Sequence, residues 1–168
     1  MSYQLVVEPS VFARESKTLQ GNLPIADLPR VLDALAEAGG AVSYWIEGRI
    51  SERERPQLLL RLDGVFSLRC QRCLGSVAYP LQVRNLLEFV GDESRLTQEE
   101  IEDDSRDFLP WKKEIDVVAL LEDEIILALP PVPRHEQCDF PDLKYAADVN
   151  MKSSPFSMLR ELKGKITQ

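Results

Sequence analysis

The sequence contains few residues of the kinds that mark secreted, membrane-spanning or histidine-dependent catalytic proteins. Histidine occurs once, as His135, and cysteine three times, as Cys70, Cys73 and Cys138. An odd number of cysteines does not suit a disulfide framework and fits a reducing compartment. No apolar run approaches the roughly 20 residues that span a bilayer, and the first residues lack the basic-then-apolar pattern of a signal peptide. We therefore expect a cytoplasmic protein without a membrane partner.

Basic residues are also scarce relative to acidic ones. Lysine and arginine number 20 against 28 aspartates and glutamates, which gives a net charge of −8, and eight of the acidic residues lie between Asp92 and Asp107. Modules that bind nucleic acid usually have a basic surface, so we expect a basic protein partner instead, and ribosomal proteins are an abundant class of these. The acidic segment is expected to be a solvated loop or a frayed helix. A magnesium site of a nuclease is the alternative for its carboxylates.

The hydrophobic pattern predicts a sheet built around one long hairpin. Hydrophobic residues make up 44% of the chain, which is enough to form the core of one domain. Residues 57–68 and 77–90 are rich in leucine and valine and extended in pattern, and residues 41–51 alternate as a third strand would. The sequence therefore predicts an antiparallel meander or a partly closed sheet.

Helix signals flank these strands, so the predicted fold class is α+β with two or three helices. One predicted helix begins after the cap Asp27 and ends at Gly39, with an apolar stripe between them. A stronger one covers residues 117–129, with Asp116 as its cap and the proline-rich residues 130–133 ending it.

A cysteine motif lies at the predicted hairpin tip, residues 70–75. The two-residue gap between Cys70 and Cys73 lets both thiolates bind one ion, and Gly75 permits unusual backbone angles after them. Tetrahedral zinc needs four ligands, and His135 with Cys138 offers the second pair. The sequence therefore predicts a structural zinc site with no open position for a reactive water. Unmetallated thiols are the alternative.

The domain organisation follows from the change in composition after the second half-site. We predict a single α+β domain over residues 1–150, with the acidic loop 92–107 inserted, and a C-terminal helix or tail over residues 151–168. Ser154 caps this helix and Pro155 occupies its first position, while its apolar stripe is Phe156, Leu159 and Leu162. The helix either docks on the domain or is offered to a partner as a recognition helix.

Four motifs in a fixed order resemble those of a known family. They are Cys70-Gln-Arg-Cys73, the acidic helix sequence 122–133 that ends in Leu-Pro-Pro-Val-Pro, Cys138, and the Ser-Pro-Phe sequence from Ser154. This set resembles the bacterial YceD family, the large ribosomal RNA subunit accumulation proteins. Relatives usually begin the last motif with asparagine, and many have a fuller cysteine set in the second half-site, where this chain has His135 and Cys138.

The resemblance implies a non-catalytic factor required for synthesis, processing or stability of large-subunit ribosomal RNA. The expected partner is a ribosome-assembly or ribosomal protein, with ribosomal RNA contacted through a small basic patch. The expected partner-binding residues lie at the hairpin tip and in the final helix: Arg69, Arg72, Pro155, Phe156, Leu159, Leu162 and Lys163. The alternatives are a metal-dependent ribonuclease that acts on ribosomal RNA precursors, and a thiol-based redox sensor whose cysteines the tip arginines make more acidic.

Overall fold

The computed structural model describes residues 5–92, 94 and 96–138. One compact unit spans residues 1–136, and the predicted C-terminal helix lies outside the described residues. The strands are β1 (Val6–Val7), β2 (Thr18–Pro24), β3 (Leu35–Glu37), β4 (Ala41–Ile50), β5 (Pro56–Arg69), β6 (Ser76–Val90), β7 (Asp107–Pro110) and β8 (Ile115–Asp116), and the helices are α1 (Pro9–Arg14), α2 (Gln98–Ile101) and α3 (Val117–Ala128). Within the described ranges, no helix is long and apolar enough to cross a membrane.

Six of the strands form one mixed sheet. Its order is β2-β4-β5-β6-β7, and β3 pairs separately with β5. All pairs are antiparallel except β6 with β7. Residues 91–106 connect those two strands, and a connection of that length allows the chain to return in the parallel direction. The sheet is therefore mixed and open, which corrects the predicted antiparallel meander or partly closed sheet.

The predicted long hairpin is present as β5 and β6. Its register is continuous from Gln57 opposite Glu88 to Arg69 opposite Ser76. The even-numbered apolar residues of β5 lie on the core face and are fully buried or nearly so: Leu58, Leu60, Leu62, Phe66 and Leu68. Helix α1 packs closely on β4 at Gly48. A side chain would not fit there, since a Cβ atom at Gly48 would lie 2.3 Å from the carbonyl oxygen of Phe12. The hairpin is thus held by a core on one face.

Helix α3 agrees with the prediction for residues 117–129. The carboxylate of Asp116 accepts hydrogen bonds from the backbone N–H groups of Val118 and Ala119 at 2.9 and 3.3 Å, which is the expected capping arrangement. The polar residues within this helix are less solvated than their type suggests. Glu122 and Glu124 are 3% and 7% exposed, so both carboxylates belong to the packed side of the helix.

The helix predicted between Asp27 and Gly39 is wrong. The chain forms two short 3-10 turns, Ile25–Asp27 and Leu32–Ala34, and then enters β3. Backbone N–H groups at residues 28, 31 and 34 donate to carbonyls three residues earlier, and this spacing of three places Ile25, Leu28 and Val31 together in the core, all fully buried. The apolar spacing was thus a 3-10 pattern, and pairing of residues 35–37 with β5 ends it.

The acidic segment is only partly solvated. It contains α2, whose cap Thr97 accepts from the backbone of Glu100 while the Glu100 carboxylate accepts from the Thr97 N–H at 2.9 Å. Glu100 is 5% exposed and forms ion pairs with Arg53 and Arg55. Arg55 also pairs with Glu88, a fully buried residue of β6. The segment is therefore anchored to the sheet through this charge network.

Candidate metal centre at the hairpin tip

The turn between β5 and β6 has the backbone of a metal knuckle. The N–H of Cys70 donates to the carbonyl of Gly75 at 2.8 Å, and the N–H of Leu74 donates to the carbonyl of Cys70 at 2.9 Å. The unusual backbone angle falls on Leu74, whose φ is 62°. Gly75 does not adopt a positive φ, so the conformational role predicted for it belongs to its neighbour.

The segment after α3 lies against this turn. The N–H of Gln71 donates to the carbonyl of Pro133 at 2.9 Å, and Nε2 of His135 is 2.8 Å from the carbonyl oxygen of Ser76. The prolines at positions 130, 131 and 133 cannot continue the helix, which ends at Ala128. The chain therefore leaves the helical path before it reaches the hairpin tip, where one backbone hydrogen bond and one contact from the His135 ring hold it.

The contact with Ser76 also determines which nitrogen of His135 faces the cysteines. A carbonyl oxygen only accepts, so Nε2 holds the proton and donates it, and in the neutral ring Nδ1 keeps its lone pair. Nδ1 lies 3.4 Å from Sγ of Cys73. A second partner that orients a histidine in this way is typical of metal-ligating imidazoles. The Ser76 carbonyl, and after it the Cys70 thiol, raises the pKa of His135.

The structure brings all four predicted ligands together. The ligand atoms of Cys70, Cys73, His135 and Cys138 lie within 4.8 Å of one another. Zinc–sulfur bonds of about 2.3 Å in a tetrahedron require sulfur–sulfur edges of about 3.8 Å, so the cluster needs only a small contraction to enclose an ion. Three thiols and one imidazole form a donor set that zinc accepts. The residues therefore fit a metal ion.

Cys70 differs from the other three candidate ligands in its burial. The Cys70 side chain is fully buried, and the backbone N–H of Arg72 is 3.4 Å from its Sγ, where it can donate to the sulfur. All three cysteines are unbridged. Four protein ligands leave no open coordination position, so a bound ion would hold the turn to residues 133–138 instead of activating water.

The tip also presents side chains to solvent. The predicted residues Arg69 and Arg72 are exposed there. Leu74 is 71% exposed and was not among the predicted partner-binding residues. Its position in the turn, between Cys73 and Gly75, could have indicated that it is exposed. Ser76 and Pro133 contribute through backbone carbonyls, for which side-chain type gives no signal. The other predicted partner-binding residues, Pro155, Phe156, Leu159, Leu162 and Lys163, lie outside the described residues.

Fold and donor set together define a sheet protein with a candidate structural metal centre at one hairpin tip. The family model of the large ribosomal RNA subunit accumulation protein YceD matches residues 58–163, which is more than half of the chain. The chain therefore belongs to the YceD family. The match begins in β5 and includes the hairpin tip, α3 and all four candidate ligands. The comparison with curated proteins gave no match, and neither did the comparison with solved structures.

Proposed function

We propose that this protein is a non-catalytic ribosome-biogenesis factor that supports synthesis, processing or stability of large-subunit ribosomal RNA in the cytoplasm. Membership of the YceD family supports the link to that RNA. The observation that supports an adaptor mechanism is the hairpin tip, where the candidate metal ligands lie beside exposed arginines. In this proposal the sheet provides rigidity and the tip contacts a ribosome-assembly or ribosomal protein.

A structural metal ion would serve this role by fixing the presenting surface. The tip joins strands of 14 and 15 residues, and hydrogen bonds at Gln71 and Ser76 already place it against the segment after α3. An ion bound by Cys70, Cys73, His135 and Cys138 would join the turn to the segment after α3. Arg69 and Arg72 would then keep one geometry, which reduces the entropy lost when a partner binds.

The charge of the chain favours a protein partner over extensive RNA contact. A net charge of −8 opposes broad binding to a polyanion, and two tip arginines can make only a few phosphate contacts, whose strength falls steeply with salt. RNA contact is therefore proposed only as a small local patch. The C-terminal residues Pro155, Phe156, Leu159, Leu162 and Lys163 remain a second proposed partner surface.

The test is a comparison of matched arginine variants in cells that lack the native protein. Arg69→Ala with Arg72→Ala should lower the ratio of large-subunit to small-subunit ribosomal RNA. Arg14→Ala with Arg84→Ala removes the same charge from exposed positions elsewhere and should leave the ratio unchanged. Equal ratios for the two double variants, with both proteins folded and equally abundant, would refute the role of the tip.

A further inference from the structure

A groove beside α3 has a surface that neither the core nor the hairpin tip explains. Its volume is about 750 Å³, and it lies between α3, β7 and the segment that leads into β8. One wall is apolar and open to solvent: Leu127 is 79% exposed and Ile126 is 39% exposed. Leu109 and Ile115 also line the groove and add to its apolar surface. This groove is called the α3 groove below. Its volume and its apolar lining allow it to receive apolar side chains of a partner.

The lining of the α3 groove is strongly acidic. Its charged residues are five carboxylates (Asp107, Glu114, Asp116, Asp123 and Glu124) and two cations (Arg30 and Lys112). One of those cations is already engaged, because Arg30 forms an ion pair with Asp123. The groove therefore combines an apolar wall with an excess of negative charge.

Two of these carboxylates share one neutral donor. Nδ2 of Asn85 is 2.6 Å from Oδ2 of Asp107 and 3.0 Å from Oε2 of Glu124. Among the described residues, neither carboxylate has a cation within ion-pair distance. Burial raises the pKa of Glu124, and the charges of Asp107 and Asp123 raise it further. An incoming ammonium or guanidinium group would relieve this repulsion.

We infer that the α3 groove binds a basic amphipathic helix of a protein partner, with an apolar side chain against Ile126 and Leu127 and a lysine or arginine at Asp107 and Glu124. This inference rests on the proposed adaptor function and adds a further surface to the hairpin tip and the C-terminal residues. The same charges oppose RNA, whose phosphates would face the carboxylates. They also oppose a second copy of this chain, which is itself acidic.

The inference is tested with the purified full-length chain and a labelled 18-residue probe peptide of leucine and lysine in helical amphipathic order. Asp107→Asn with Glu124→Gln should weaken binding about tenfold or more, because charge-assisted hydrogen bonds are lost while the amide Nδ2 of Asn85 keeps oxygen acceptors. The matched control, Glu99→Gln with Asp104→Asn, removes the same charge from exposed positions outside the groove and should change binding less than about twofold. Fluorescence anisotropy measures each affinity.

The apolar wall has its own control. Leu127→Ser should weaken peptide binding, whereas Ile101→Ser, at an exposed helix position outside the groove, should not. A peptide of the same composition in scrambled order should bind less tightly than the amphipathic one.

Two results would overturn the inference. Equal weakening by the two charge-neutralised variants would show attraction to net charge and no groove. Tighter peptide binding by Phe156→Ser with Leu159→Ser would identify the chain's own C-terminal segment as the occupant. Both assays use purified protein, so either result leaves the role in ribosomal RNA accumulation to be decided by the cellular ratio.

Discussion

The backbone N–H of Arg30 donates to Oε1 of Glu122 at 2.8 Å, across 92 residues of sequence. This bond joins α3 to the segment that forms 3-10 turns instead of the predicted helix. Glu122 is 3% exposed, so removing its carboxylate would leave the Arg30 N–H without this acceptor in a partly buried place. The relationship explains why an acidic residue occupies the packed side of an apolar helix.

Replacement of Glu122 tests this explanation. Glu122→Ala should lower the free energy of unfolding by about 1–3 kcal/mol, because a buried donor loses its partner. Glu122→Gln keeps an oxygen acceptor and should cost less. Urea denaturation measures both, and Asp123→Ala serves as the control at the exposed neighbouring position, where loss of a surface ion pair costs about 0–1 kcal/mol. A Glu122→Ala cost no larger than that of the control would contradict the role assigned to the bond.

Metal content tests the hairpin tip. The purified protein should contain about one zinc ion per chain, since the four ligands form one tetrahedral set. Cys73→Ser and His135→Ala should each lose most of this zinc, while Arg134→Ala, an exposed neighbour outside the ligand set, should retain it. Atomic absorption measures the content. A chelator should also lower the melting temperature of the native protein and leave that of the cysteine variant unchanged; equal zinc in all variants would exclude the site.

The acidic segment should respond to neutralisation at one position and not at its neighbour. Glu100→Gln should destabilise the fold because the carboxylate is buried with Arg53 and Arg55, whereas Glu99→Gln should not, because Glu99 is exposed. Thermal unfolding at neutral pH distinguishes them. A melting temperature equal to the native value for Glu100→Gln would show that the segment is solvated throughout, as the sequence suggested.

The same residue gives a pH dependence with a defined sign. The backbone of Thr97, then the arginine partners, lowers the pKa of Glu100 from 4.5 to about 2. A carboxyl group whose pKa is lower in the folded state stabilises that state above the unfolded pKa and loses this effect as the pH falls through the folded one. Stability should therefore decline between pH 4.5 and about 2, and less steeply in Glu100→Gln than in Glu99→Gln.

Glu124 should show the opposite behaviour. Burial, followed by repulsion from Asp107 and Asp123, raises its pKa, so its ionised form destabilises the folded state at neutral pH. Glu124→Gln should raise the melting temperature at neutral pH by roughly 1–3 °C and should have no such effect in acid, where the native carboxyl is protonated. Glu114→Gln is the exposed control. A lower melting temperature for Glu124→Gln would mean that the charge is compensated in the folded state.

Local patterns predicted the elements whose contacts are close in sequence. The β5–β6 hairpin and α3 were predicted because strand alternation, a capping aspartate and terminating prolines act within a few residues. The prediction of a helix at residues 28–38 was wrong because apolar spacings of three and four residues fit both an α-helix and 3-10 turns. The contacts that accompany the 3-10 turns are distant in sequence: the hydrogen bond to Glu122 and the pairing of β3 with β5. The parallel addition of β7 could not be predicted, since four residues carry little pattern and the pairing depends on a distant strand.

The candidate site also has a part that the sequence predicted and a part that it could not predict. Cysteine spacing identified Cys70 and Cys73, and the chemistry of the donor set suggested His135 and Cys138 as the second pair. The contact that orients His135 could not be predicted, because it uses the backbone carbonyl of Ser76, which every residue possesses. The α3 groove was missed because its acidic residues come from separate elements, and only folding brings them to one surface.

The separation of 62 residues between Cys73 and His135 sets an order of events during synthesis. At about 5–20 residues per second, the ribosome makes the second pair of ligands about 3–12 seconds after the first. Small β-hairpins form in about 1–10 microseconds once both strands are available. The two thiols at the β5–β6 turn are thus made well before His135 and Cys138 exist. An ion that used all four candidate ligands would therefore be enclosed only after the chain has been made beyond α3.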